Sequence, residues 1–208
     1  MSKVYLGMRH LYGNMLAAVD FETTGRRPGH HEIIQMAILP LDNDIRPMQG
    51  VRPFYTTVQP LHPNRADPNS TRVHKLNIAE LTLHAPDPGR VQDMLIEWWK
   101  ELDLPVGKCL VPLAHNWSFE SGFLKAWLGV DLACEIFHSH ARDAMTYALS
   151  LNDRAAFRGE KPPFGYVSLT SLCRHFKIHN SRPHDALADC IAEAEVYRAM
   201  LTSNEFSH

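Results

Sequence analysis

Three apolar runs, residues 15–20, 32–41 and 53–58, follow one another near the start of this 208-residue chain with only short connections between them. Parallel neighbours need a crossover of a dozen or more residues, so runs spaced this way specify an antiparallel meander. The first run ends on Asp20 and is closed by the turn residues Thr23-Thr24-Gly25. Beyond them the pattern changes. Residues 60–70 carry Pro60, Pro63 and Pro68 and read as a loop, and residues 77–83 read as a short helix stopped by Pro86 and Pro88. Val91, Met94, Leu95, Trp98 and Leu102 form the stripe of a helix over residues 91–102. A fourth strand is expected at residues 108–114, then a helix over 118–128 with Ser118 as its N-cap, and a fifth strand at Ile136 and Phe137. A helix over 142–151, a long polar loop over 152–167, a helix from Ser168 to residue 176 and a final helix over 185–201 complete the chain. Strands first, then helices alternating with strands, specify an α/β fold with helices packed on a mixed sheet.

Length and composition fit one domain over residues 1–208, with its core at about 15–201. Hydrophobic residues make up 45% and charged residues 21%, which excludes wholesale disorder. No apolar stretch is long enough to span a bilayer, and the first twenty residues lack the apolar segment of a secretory leader, so the expectation is a soluble cytoplasmic protein. Cys109, Cys134, Cys173 and Cys190 show no metal-knuckle or redox spacing and read as reduced core thiols. With 21 Lys plus Arg against 23 Asp plus Glu, the chain cannot grip nucleic acid by overall charge. Local patches, or metal ions that cancel its own carboxylates, would have to do so.

The chemistry-bearing residues fall in three places. Asp20 and Glu22 stand two apart at the end of the first strand and project from one face. Like charges that close repel, and a divalent cation with oxygen ligands, Mg²⁺ or Mn²⁺, relieves the repulsion. The plain alternative is a pair of solvated strand-end acids. Glu120 shares a helical stripe with Phe123, Leu124 and Trp127, so it needs either a partner or an edge position that keeps its head in water. His184 and Asp189 have a spacing that also occurs at His62/Asp67 and His138/Asp143, so spacing alone decides nothing. Both on one helix, they would lie about 140° apart. They meet only if His184 sits before the helix and Asp189 points inward from it, and Pro183 suits that boundary. Asp185 reads as a helix N-terminal acid, Glu193 and Glu195 as solvated acids, and His74 as a packing histidine.

The order Asp20-Phe21-Glu22-Thr23-Thr24-Gly25, His115-Asn116-x-x-Phe119-Glu120-x-x-Phe123-Leu124 and His184-x-Ala186-Leu187-x-Asp189 resembles the DEDDh 3′→5′ exonucleases. That group includes the proofreading epsilon subunit of bacterial replicases, ribonuclease T and oligoribonuclease. Val73-His74 and Arg142-Asp143-Ala144-Met145 also resemble landmarks of the group. The resemblance implies a ribonuclease H-like fold, a mixed five-stranded sheet flanked by helices, and two-metal hydrolysis of phosphodiesters. On it, Asp20 bridges two divalent cations, Glu22 and Asp189 hold the one that binds the attacking water, Glu120 supports the other, and His184 is the general base. Phe21, Thr23, His115 and Asn116 are implied substrate contacts, and Arg154, Arg158 and Lys161 are candidate phosphate contacts on the long loop, each also readable as an ordinary surface charge. One departure stands out: Glu120 occupies a position where the group carries Asp. The implied substrate is a single strand or 3′ end, DNA ahead of RNA, with a DNA polymerase as a candidate partner and no membrane. An exoribonuclease resembling oligoribonuclease, and an inactive nucleic-acid-binding module on the same fold, remain open alternatives.

Overall fold

The computed structural model describes residues 11–203. Five strands, β1 (Met15–Thr23), β2 (Ile33–Pro40), β3 (Phe54–Thr57), β4 (Leu110–Ala114) and β5 (Arg142–Asp143), form one sheet in the order β3-β2-β1-β4-β5. The expected meander is present: β1 pairs antiparallel with β2, and β2 with β3. β4 and β5 extend the sheet in parallel, so the sheet is mixed. β1 lies at its centre, with both backbone edges occupied. Ala17, Ala18 and Val19 are fully buried, which suits a strand covered on both faces.

Alternate residues of β1 serve two cores. Met15, Ala17, Val19 and Phe21 join Val91, Leu95 and Trp98 of α3 (Pro88–Glu101) and Phe123 and Leu124 of α4 (Trp117–Leu128). Leu16 and Ala18 face the other way, onto Ala186, Cys190 and Ala194 of α8 (Ala186–Thr202). The back of α8 contributes Ala192, Val196 and Met200 to a third cluster with α6 (Ala144–Phe157) and α7 (Leu169–Phe176). α8 is therefore covered on two sides, and its alanines allow close approach to the sheet. Among the described residues, no helix is long and apolar enough to cross a membrane.

Several elements differ from the sequence reading. The stretch read as a loop at 60–70 contains a 3-10 turn at Pro63–Arg65 and the start of α1 (Pro68–His74). Pro68 opens that helix at a position where its missing N–H costs nothing, and Asp67 caps it. Pro88 likewise opens α3 rather than only ending α2 (Ile78–His84). Ile136 closes α5 (Val130–Ile136), Phe137 makes one bridge to Leu110, and the fifth strand is Arg142–Asp143. α6 begins after that strand and continues through residues assigned to the polar loop. It can do so because Leu151 and Ala155 face inward while Asp153 and Arg154 face out. Of the cysteines, Cys173 and Cys190 are buried thiols as expected, Cys109 is half-buried, and Cys134 is exposed.

Ser118 is not the cap of α4. Asn116 precedes the helix with φ 101° and makes no side-chain cap bond, and the Ser118 hydroxyl donates to Asn116 Oδ1 at 2.6 Å. The service comes from elsewhere in the sheet: Asp143 Oδ2 accepts from Trp117 N at 2.7 Å, while its Oδ1 caps α6 through Thr146 N at 2.8 Å. One carboxylate thus caps two helices. Each such cap contributes about 1 kcal/mol, so Asp143→Ala is expected to destabilise the protein by about 2 kcal/mol. A lower urea midpoint with an unchanged slope would show it; an unmoved midpoint would rule out the double cap.

Candidate active site

The strand-end acids are placed by a bulge. β1 pairs Glu22 with Gln35 but Thr23 with Ile33, so the register breaks between Glu22 and Thr23 and the chain turns. The Thr23 hydroxyl donates to Gly25 O at 2.7 Å, and Thr24 Oγ1 accepts from Glu32 N at 2.9 Å, which closes the turn. Gly25 lets the turn lie against His31, since a Cβ there would stand 2.3 Å from the His31 ring and force that ring to shift. Asp20 and Glu22 share the parity of Ala18 and so face the α8 side, while Phe21 enters the opposite core.

At the start of α8, His184 lies outside the helix with φ 68° and is exposed, and Asp189 points inward from the first turn at 7% exposure. Asp189 Oδ2 accepts from His184 N at 3.0 Å, and its Oδ1 accepts from the Asn180 side chain. Asp185 caps the helix through Ala188 N at 3.1 Å and accepts from the Tyr55 hydroxyl at 2.7 Å. Gln35, opposite Glu22 on β2, accepts from Ala186 N at 2.9 Å and donates to Tyr55 at 3.2 Å. The edge of the sheet and the helix start are thereby tied together. As a result, ligand atoms of Glu22, His184 and Asp189 lie within 4.8 Å of one another. This is the geometry that the sequence made conditional on His184 preceding the helix.

Glu120, on the first turn of α4, is 4% exposed rather than solvated at a helix edge. A fifth acid joins the four expected ones: Glu193, read as solvated, is 1% exposed. The reason is periodicity. Glu193 is four residues after Asp189 and shares the inward stripe of Ala186, Cys190 and Ala194, a signal present in the sequence; Glu195 is exposed as expected. Asp20 Oδ2, Glu120 Oε2 and Glu193 Oε2 are buried without a hydrogen-bond partner.

The electrostatics follow. Burial, reinforced by Asp20, Asp189 and Asp185, pushes the Glu22 carboxyl up to about 9. Burial and then Asp189 and Asp185 raise Asp20 well above the usual carboxylate range. Burial and then Asp20 do the same for Glu120, and burial, Asp20, Glu120 and Asp189 for Glu193. Asp189 is raised by burial, against the lowering effect of its bonds to Asn180 and His184. Hard oxygen donors that cluster, repel and lack partners fit divalent cations such as Mg²⁺ or Mn²⁺.

A groove of about 580 Å³ opens beside these acids, lined by Phe21, Glu22, Thr23, Arg26, His74, His115, Asn116, Phe119 and Glu120 among others. Phe21 is both core and groove wall, at 5% exposure. The Thr23 hydroxyl is committed to its own turn. His74, read as a packing residue, is buried, but its Nδ1 accepts from Leu76 N at 2.9 Å, so a neutral ring carries its proton on the unpartnered Nε2. Arg154, Arg158 and Lys161 do not line the groove. Arg154 lies on α6, Arg158 is its C-cap residue and Lys161 follows it, so they are not the loop cluster expected from the sequence.

The family model for exonucleases of the RNase T type matches residues 17–197. The chain belongs to this exonuclease family. No curated protein matches it in sequence. Its fold is that of solved nucleases. Escherichia coli exonuclease I, bound to a dA16 oligonucleotide, superposes with a TM-score of 0.71 at 16% identity over 92% of this chain and 41% of that one. A 3′-exonuclease that recognises the histone mRNA stem-loop gives 0.66 at 17% identity, over 94% and 66%. Cell-death related nuclease 4 (CRN-4) gives 0.66 at 18%, over 90% and 64%. The chain thus spans about two fifths of exonuclease I. The sheet and its flanking helices are the ribonuclease H-like exonuclease fold.

The buried acids set a pH dependence with a definite sign. Glu22 titrates near 4.5 in the unfolded chain and at about 9 when folded, so the folded protein holds the proton more tightly. Its contribution to stability is complete below the unfolded value and is lost as pH rises through the folded one. In EDTA the melting temperature should therefore fall between about pH 5 and pH 9. Mn²⁺ should restore it most strongly at the high end, where fewer protons must be displaced. Melting temperatures that do not fall across that range would show that the acids are not coupled in this way.

Proposed function

We propose that this chain is a metal-dependent 3′→5′ exonuclease that hydrolyses DNA from the 3′ end and releases 5′-mononucleotides. The observation that carries the proposal is the convergence of Glu22, His184 and Asp189 within 4.8 Å beside a groove that Glu22 and Glu120 line. Asp20 would hold two cations, Glu22 and Asp189 one of them, and Glu120 the other. Two such ions neutralise the converging acids and stabilise the attacking and leaving oxygens of an in-line displacement.

The remaining steps fall to the chain's own residues. His184 stands outside the helix, fixed through its backbone N–H to Asp189, with a ring nitrogen beside Glu22 and Asp189. It takes the proton of the attacking water and, being exposed, passes it to solvent. Phe21 and Phe119, which line the groove, would pack against a terminal base, Arg26 would bring a charge to its phosphate, and His74 Nε2 a donor to its sugar or phosphate. RNA is the second reading, favoured by the likeness to the stem-loop 3′-exonuclease. An inactive module is disfavoured, because all four expected acid positions remain carboxylates and three of them, Glu22, Glu120 and Asp189, are buried at cost.

The test uses 5′-labelled DNA and RNA strands of one sequence with Mg²⁺ or Mn²⁺ and an EDTA control. Shortening from the 3′ end that stops in EDTA, faster on DNA, is expected; intact strands in both metals would leave only a binding module. Asp20→Asn should lower the rate by ~10³-fold, about 4 kcal/mol of transition-state stabilisation. Its far-UV circular dichroism should be unchanged and its melting point in EDTA no lower, since an amide carries none of the cost of ionising a buried carboxyl group. His184→Ala should reduce turnover while Mn²⁺ affinity stays within a few-fold. A loss confined to Mn²⁺ affinity would make His184 a ligand instead.

A further inference from the structure

Glu193 has no role in the reaction as set out above, yet it is among the most deeply buried charged residues of the chain. It projects from α8 one turn beyond Asp189, on the same inward stripe. Oε1 accepts from His115 N at 3.1 Å, which fixes the side chain across the end of β4. Oε2 is left buried with no partner, and the same is true of Asp20 Oδ2 and Glu120 Oε2. The charges that act on Glu193 are Asp20, Glu120 and Asp189, in that order. An apolar side chain would fill this space without the cost of an unpaired buried acid. Three oxygens, one each from β1, α4 and α8, are thus buried without a partner, and the charges of Asp20 and Glu120 act on Glu193.

We propose that Glu193 is a fifth acidic ligand of the metal centre, holding with Asp20 and Glu120 the cation on the α4 side of Asp20. The proposal rests on the two-cation reading given above. It assigns Glu22, Asp189 and Asp20 to one ion and Asp20, Glu120 and Glu193 to the other. The Glu at position 120, longer by a methylene than the Asp of the related motif, would then share its ion with another Glu.

Mn²⁺ titration of the full chain, by calorimetry and by the paramagnetic resonance of free Mn²⁺, tests this without any substrate. The variants are Glu193→Gln, which keeps the shape and an acceptor for His115 N–H, and Glu195→Gln on the exposed face of α8 as control. The wild type and the control should bind two ions. Glu193→Gln should bind one of them at least ~10-fold more weakly while keeping the other, with its melting point in EDTA unchanged or raised. Should Glu193→Gln fail to fold, Glu193→Asp, which keeps the charge but withdraws it, has to show the same selective loss. Two ions bound to the Glu193 variant with wild-type affinity would overturn the assignment and leave the proposed reaction standing. Fewer than two ions on the wild type would instead overturn the two-cation reading itself.

Discussion

Five carboxyl groups are held where β1, α4 and α8 meet, and the cost of taking them out of water, with their mutual repulsion added to it, is the constraint on which the site depends. Such a group of charges would move apart on a soft framework. Here it cannot. β1 is paired along both edges, and the residues before Asp20 are fully buried on both faces. α8 is pressed between the sheet and the layer of α6 and α7. Apolar burial spread over the two clusters that α8 joins opposes repulsion concentrated at one point. The elements that carry the acids are therefore fixed by packing, and Glu22, His184 and Asp189 stand within 4.8 Å of one another on that framework.

The exposed part of the site is fixed by different means. His184 has little packing, and its left-handed backbone is one that a non-glycine residue adopts only when its neighbours enforce it. They do so through hydrogen bonds: Asp189 and Asn180 on the inner side, and Asp185 with Tyr55 and Gln35 on the outer. Gln35 is the cross-strand neighbour of Glu22, so one β-ladder rung fixes a strand-end acid and the start of the helix that carries the histidine. Asp143 does the equivalent for α4, whose first turn carries Glu120, by capping it from β5. The starts of α4 and α8, which carry Glu120 and Asp189, are thus tied to the sheet through polar contacts as well as through packing.

What could be read from the chain follows from where the determining interactions lie. β1, β2, α8, the cap at Ser168, Asp185 as an acid at a helix N-terminus and the position of His184 before its helix depend on nearby residues, and all were legible, though not that Asp185 is the cap itself. β5 was not, because two polar residues become a strand only through the backbone of β4. The start of α4 was misread because its cap is supplied by Asp143, 26 residues away. The C-terminal half of α6 looked like a loop because its outer face is polar, although Leu151 and Ala155 keep the helical spacing. Glu193 was assigned to solvent by residue type, while the spacing of its neighbours placed it inside. Residue type outweighed period there, and at a site that buries charge that is the wrong weighting.

A fifth acid also changes the charge arithmetic of the groove. In the proposed centre two divalent cations would balance four ionised carboxylates and leave the phosphodiester's single negative charge unopposed; with Glu193 ionised as well, the centre with its substrate would carry one negative charge more. Tighter cations would then come with weaker attraction for the strand, since both act through the same low-dielectric region. The affinity for nucleic acid must accordingly come from outside the acid cluster. On the proposed reading the groove would supply it in a form that charge balance does not limit: Phe21 and Phe119 for stacking, and Arg26, which lines the same groove. Of these, only the arginine weakens with salt, so strand binding here should lean on ring contacts more than on ion pairs. A chain whose formal charge is −2 can hold a polyanion on those terms.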